Sequence, residues 1–276
     1  MTGSSSAKKR TALLYQARYA VSHPQRVAPH VRRAARDLWL RATTRNHVDY
    51  YRAVMRSDTA VSADAAVGSK SHERWLALGK LQFDYLLDHG LQPQQRLLEI
   101  GCGNLRAGWR FVEYLDPGNY YGIDISPDIL FAAQDTLVRF GLQPKLAVLT
   151  PVRDLRLPFL PDEHFDVVHA HSVFSHSPLP VIDECLANVG RILRPTGFFD
   201  FTFDRTEGAE HQVLREDFYY RTQTLVELAA GYGLVAEFMQ DWEMQNTHKQ
   251  SKIRVRRLPA RGRHDLGRGA YRLGRR

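Results

Sequence analysis

The chain has 276 residues, of which 43% are hydrophobic and 25% charged, with a net charge of +8; this is enough for one sizeable buried core with appendages. No apolar run reaches about 18 residues, and the basic start at Lys8, Lys9 and Arg10 leads into helical-looking sequence without a small-residue cleavage site, which argues against a spanning or a secreted protein. Cys102 and Cys185 are the only cysteines, too few for a disulfide framework or, without a tight histidine cluster, for a structural zinc site, so a reducing, cytoplasmic setting is expected.

Residues 1–60 carry 12 basic and 3 acidic side chains. Met1 to Ser6 are small and polar and read as disordered; Ala12 to Ala20 and Val27 to Met55 read as helical, with breaks at Pro24 and Pro29. This basic arm bears Leu38, Trp39, Tyr50, Tyr51, Val54 and Met55. It suits peripheral contact with an anionic membrane face, a cap on the main domain, or a second subunit. From Ser71 the apolar positions fall at helical spacing until Gly90, a C-terminal stop signal.

Strand-like and helical runs then alternate. Strands are predicted at Arg96–Ile100, Tyr120–Ile125, Lys145–Leu149, Phe165–His171 and Gly197–Phe203, and helices at Gly108–Tyr114, Pro127–Phe140 and Pro180–Leu193. The alternation argues for a parallel sheet covered on both faces. A helix at Gln223–Tyr232 and strands at Leu234–Trp242 and Ser251–Arg257 complete it. Residues 61–251 are acidic, with 16 basic and 26 acidic side chains, whereas residues 252–276 have 10 and 1. The Arg/Gly-rich Gly262–Arg276 reads as a loose tail. The boundaries expected are a basic helical arm over 1–67, a catalytic domain over 68–258 and a basic tail over 259–276.

Two segments carry the chemistry. Leu97-Leu98-Glu99-Ile100-Gly101-Cys102-Gly103-Asn104 runs an apolar strand into a glycine turn, where Gly101 and Gly103 let backbone approach a ligand with no Cβ in the way. The third glycine of the dinucleotide fingerprint falls on Arg106, and Gly108 comes two positions late. About 20 residues on, the strand Tyr120–Ile125 brings Asp124 to its end, placed to accept hydrogen bonds from ribose hydroxyls. Ser126 and Pro127 supply the start of the next helix, which leaves Asp124 for a ligand.

These motifs, in this order, resemble the class I S-adenosylmethionine-dependent methyltransferases over roughly Gly68 to Arg257. The resemblance adds Asp154-Leu155-Arg156-Leu157-Pro158-Phe159 as the adenine loop, Phe165 to Val168 as the fourth strand and Arg194-Pro195-Thr196-Gly197 as the loop before the fifth, with Thr196 departing from the usual glycine. It implies an α/β, Rossmann-like, doubly wound and mostly parallel seven-stranded sheet with an antiparallel last strand, behind an N-terminal helical arm. It further implies S-adenosyl-L-methionine as cofactor, held by Glu99, Gly101, Cys102, Gly103, Asp124, Ile125, Asp154, Leu155, His171 and Ser172. The segment from Gly101 to Asp124 is similar to a bacterial branch whose members look associated with glycan or lipid assembly.

The acceptor end reads His169-Ala170-His171-Ser172-Val173-Phe174-Ser175-His176. A hydroxyl acceptor benefits from a nearby imidazole, which makes His171 and His176 the candidate bases and leaves His169 as a sheet-packing residue. The Asn/Asp-Pro-Pro-Tyr/Phe motif of amino-methylating relatives is absent, and neither cysteine sits where a covalent nucleophile would, so oxygen or carbon is the expected acceptor atom. Asp162, Glu163, His164, Asp166 and His169 match no tight metal spacing, and no metal is expected. Asp204 to Tyr220 reads as a loop whose Arg205, Tyr219 and Tyr220 would suit stacking on a sugar. The reading is an O-methyltransferase acting on a small molecule, sugar or glycolipid. An RNA methyltransferase using the basic ends and a non-catalytic assembly partner that keeps the fold are the alternatives.

Overall fold

The computed structural model describes residues 35–213, 216–244 and 250–258. The readings at Met1 to Ser6, Ala12 to Ala20 and Gly262 to Arg276 lie outside them. Helices are α1 (His47–Val61), α2 (Ala63–Ala66), α3 (His72–Asp88), α4 (Gly108–Tyr114), α5 (Pro127–Arg139), α6 (Leu179–Ile192), α7 (Thr222–Gly231) and α8 (Gln240–Met244). Strands are β1 (Leu97–Ile100), β2 (Tyr120–Asp124), β3 (Val148–Pro151), β4 (Phe165–Ala170), β5 (Leu193–Arg205), β6 (His211–Val213), β7 (Asp217–Tyr220), β8 (Leu234–Phe238) and β9 (Ser251–Arg257).

Seven strands make the main sheet in the order β3-β2-β1-β4-β5-β9-β8; β9 runs antiparallel to both neighbours and the remaining pairs are parallel. This is the architecture expected. The hairpin β6–β7 extends it, with β7 parallel to the C-terminal end of β5.

The sheet is covered twice, which is why its strands read as continuous apolar runs. Phe199, Phe201 and Phe203 of β5 face Ile182, Cys185 and Leu186 of α6 and Leu225 and Ala229 of α7. On the other face Leu97, Val167 and Phe198 meet Tyr85, Phe111 and Leu137 from α3, α4 and α5. Burying each such phenylalanine is worth about 1.5–3 kcal/mol.

Three local readings are corrected. Lys145 ends a 3-10 turn over Gln143–Lys145, closed by Leu146 in the left-handed region at φ 54°, so β3 begins at Val148 instead of Lys145. The strand from Leu234 stops at Phe238, where the Met239 N–H turns to the Lys252 carbonyl and Gln240–Met244 becomes helical. The arm helix is also interrupted: Thr44 Oγ1 donates to the Leu40 carbonyl at 2.7 Å, ending the helical residues 35–43, and Asn46 caps a new helix through the Asp49 N–H.

A band of ionisable groups crosses the sheet under α3, because register places Glu99, His169, Asp200 and Arg254 side by side on neighbouring strands. Arg254 grips Asp200 with two bonds of 2.6 and 2.7 Å. Lys252, with none of its surface exposed, lies 3.9 Å from Asp200 and over the rings of Tyr85 and Trp242 at 4.0 and 4.1 Å.

Candidate cofactor and acceptor site

Where β1 ends, the Gly101 and Cys102 N–H groups both donate to the Ile123 carbonyl, at 2.7 and 3.1 Å, and lock the turn to β2. Gly101 and Gly103 have φ of 69° and 55°. A Cβ on them would stand 2.4 Å from Val173 Cγ2 and 2.7 Å from Val67 Cγ1, so both positions need glycine. Asp124 fixes the turn from the next strand, accepting from the Gly103 N–H at 3.0 Å and the Ser126 N–H at 2.9 Å. Burial pushes its carboxyl up to about 6, against the pull of those amides.

Glu99 is buried beside it and accepts from the Tyr120 hydroxyl at 2.5 Å. Burial raises it to about 7, with the Tyr120 bond and the Arg106 charge opposing. The late glycine belongs to this pair: a Cβ at Gly108 would meet Tyr120 Oη at 2.4 Å and Glu99 Oε2 at 2.9 Å. Arg106, which broke the dinucleotide fingerprint, is itself buried and donates to the Val67 carbonyl. Cys102 is buried in the turn, and burial with the nearby carboxylates holds its thiol protonated, well above its ordinary range.

Past β2, the Ile125 carbonyl accepts from Arg52 Nε of α1 at 2.8 Å. Past β3, Asp154 accepts from the Arg156 N–H at 3.1 Å, while the buried Leu155 gives its N–H to Glu184 of α6 at 2.9 Å. The acidic turn before β4 is taken up by ion pairs, Asp162 with Arg191, Glu163 with Arg257 and Asp166 with Arg194. Among the described residues no group of three or more His, Cys, Asp or Glu is placed to hold a metal.

The three histidines at the end of β4 have separate environments. His169 is fully buried, its Nε2 3.3 Å from Gln82 Oε1, and burial, helped by Lys252, pushes it well below the ordinary imidazole range. His171 is buried at the cavity wall with its ring edge-on to Trp242 at 5.8 Å. Ser172 sits in the left-handed region at φ 58°, held by its N–H to Thr202 Oγ1 at 2.8 Å and its hydroxyl to Gln250 Oε1 at 2.8 Å. His176 uses Nδ1 to reach the Glu216 carbonyl at 2.8 Å and Asp217 Oδ1 at 3.1 Å. Burial works against its charge, but the bonds to Asp217 and the Glu216 carbonyl outweigh it and raise the imidazole.

One cavity of 540 Å³ brings these parts together. Glu99, Gly101, Cys102, Gly103, Asp124 and Ile125 line one side, and Asp154, Leu155, His171, Ser172 and His176 the other; His169 is left inside the sheet. Sequence reading missed the rest of the wall: the α1 face with Tyr51, Glu184 of α6, and Glu216 before β7. The α1 face was visible as Val48, Tyr51 and Met55 at helical spacing, whereas Glu216 carried no signal. The stretch read as a sugar-stacking loop is the β6–β7 hairpin. Its Tyr219 is stacked on His211 at 4.6 Å and Arg205 lies over Phe238 at 4.7 Å.

Residues 98–199 match a family model described as a methyltransferase domain. An uncharacterised methyltransferase of Schizosaccharomyces pombe is 29% identical over 118 residues, 41% of this chain and 41% of that protein. A fatty-acid O-methyltransferase of Mycolicibacterium smegmatis is 33% identical over 108 residues, 39% of this chain and 36% of that protein. The chain thus spans only about a third to a half of these relatives. The crystal structure of magnesium protoporphyrin IX methyltransferase from Synechocystis PCC 6803 with bound S-adenosylmethionine superposes with a TM-score of 0.60 at 13% identity, covering 78% of this chain and 99% of that one. Strand order, the glycine turn after β1 and the carboxylate closing β2 accord with the methyltransferase domain matched over residues 98–199, and the fold is that of the S-adenosylmethionine-bound methyltransferase structure.

Proposed function

We propose that this protein is an S-adenosylmethionine-dependent O-methyltransferase that methylates a hydroxyl of a small molecule. The observation that carries the reading is the meeting, in one cavity, of buried carboxylates suited to a cationic nucleoside with an imidazole already oriented by a carboxylate.

The residues fit the cofactor. Asp124, which accepts from the backbone amides of Gly103, Ile125 and Ser126, keeps acceptor capacity and would hold the ribose hydroxyls. Glu99 faces the glycine turn from the strand side and would hold the amino end, Gly101 and Gly103 admit backbone contact, and Asp154 and Leu155 flank the adenine side. When bound, the cofactor supplies an electrophilic methyl group on a positively charged sulfur. The protein's share is then alignment and proton removal. With Nδ1 of His176 directed at the Glu216 carbonyl and Asp217, Nε2 is the nitrogen left to take a proton. Two carboxylates near that ring, Asp217 and Asp204, stabilise the imidazolium that forms.

Isothermal titration of S-adenosylhomocysteine into wild type and Asp124→Ala tests the cofactor half. Saturable binding that Asp124→Ala weakens by roughly 10- to 100-fold is expected, the worth of hydrogen bonds to a charged acceptor. No saturable heat with wild type, or an unchanged affinity in the variant, would overturn it.

A further inference from the structure

The inner face of α1 lines the cavity beside His176. His47, Val48, Tyr51, Val54, Met55 and Asp58 line the cavity from this one helix, at spacings that put them on a single side. The first turns lie at the acceptor end: His47 Nε2 is 2.7 Å from the His176 carbonyl oxygen, and the Tyr51 ring stacks on the His176 imidazole with centroids 5.8 Å apart. Val173, packed against the glycine turn at Gly101, and Val181 also line the cavity. The helix is pinned there by Arg52 on the Ile125 and Val152 carbonyls and by the Tyr50 hydroxyl on Glu216.

Resting on the reading of His176 as base, we propose that the acceptor is a phenol: an aryl hydroxyl on an apolar ring system, seated against Val48 and the Tyr51 ring with its oxygen toward His176. Three features of the wall select it. A sugar needs a partner for each ring hydroxyl, and the seat formed by Val48 and the Tyr51 ring face offers none. A carboxylic acid would enter as an anion beside Glu216 and Asp217 and be repelled. An aryl hydroxyl, with a pKa of about 10 in the free phenol of tyrosine, is a far better match to an imidazole base than an aliphatic alcohol. Tyr51 serves as wall and not as base: burial and the surrounding carboxylates push its own hydroxyl well above the ordinary range. In the step, the phenol oxygen bonds to the methyl carbon as the carbon–sulfur bond breaks. The bonding pair stays on sulfur, which becomes a neutral thioether, and the phenolic proton passes to His176 Nε2.

The test uses the full chain and the fluorescence of 2-naphthol, titrated with and without saturating S-adenosylhomocysteine, in competition with decanoic acid and methyl glucoside. Saturable naphthol binding at least about tenfold tighter than either competitor is expected. Tyr51→Ala should weaken it about tenfold while leaving the calorimetric affinity for S-adenosylhomocysteine in place, which also shows that the variant folds. Val48→Trp, which fills the seat, should weaken it by a similar factor. Tighter binding of decanoic acid or the glucoside, or naphthol affinity untouched by both variants, would overturn the phenol. Full-rate methylation of 2-naphthol by His176→Ala would strike the base assignment, and the naphthol titration judges the acceptor class separately.

Discussion

Glu99 and His176 carry charges that the fold moves in the same direction for opposite reasons. Burial raises Glu99 from 4.5 to about 7, so between those values the folded chain binds more protons than the unfolded one. Stability from this group therefore falls as pH rises through that window, while affinity for a cationic cofactor rises, because only the ionised carboxylate attracts it. Glu99→Gln should flatten both trends: denaturant melts at pH 5 and pH 8 would draw closer together, and cofactor titrations at the same two values would show uniformly weak binding. His176 is raised by its bonds to Asp217 and the Glu216 carbonyl, and a base must be neutral to work. The rate should climb with pH through its titration, and Asp217→Asn should move that limb to lower pH while reducing the rate above it; His176→Ala should cost about 10²–10⁴-fold in kcat. At this scale Glu99, Gly101 and Asp124 were legible, because strand ends and glycine turns place them by spacing alone. Arg106 was read as a misfit, since its bond to the Val67 carbonyl joins segments 39 residues apart, and no local pattern shows that.

Among the elements, α3 shows how one helix sets the height of the site. Gly79 would ordinarily gain from becoming alanine inside a helix, yet a Cβ there would stand 2.0 Å from the Arg106 carbonyl oxygen. Gly79→Ala should therefore destabilise the protein by about 1–3 kcal/mol in urea unfolding, since neither backbone can yield without shifting the loop that follows the glycine turn. Most elements could be read from alternation and caps: Ser71 and Ser126 cap α3 and α5 as their sequence suggested. The losses were at edges. β3 slipped by three residues because the left-handed Leu146 closes a turn that hydropathy cannot see. The β6–β7 hairpin was invisible because β6 is exposed on all three of its residues.

For the molecule as a whole, the acidic middle and basic flanks seen in composition resolve into something the sequence could not display, a charged row running through the sheet. Asp200 is the hub, facing Arg254 and Lys252. Asp200→Ala should cost about 3–5 kcal/mol because it strands two buried cations, whereas Lys252→Met should be neutral or stabilising, since the single charge it removes has no hydrogen-bond partner among the described residues. Chemical denaturation of both variants checks the pair. The helical readings for the first 34 residues concern a part of the chain outside the described residues.

The bond from His47 to His176 spans 129 residues and that from Ser172 to Gln250 spans 78. Contacts of such separation form after local ones. A nascent chain emerging from the ribosome would therefore assemble the glycine turn early but could not fasten Ser172 until Gln250 had been synthesised and β9 had inserted beside β5. Cofactor capture would then coincide with completion of the sheet, and ligand affinity would serve as a sensitive gauge of whether a chain has finished folding.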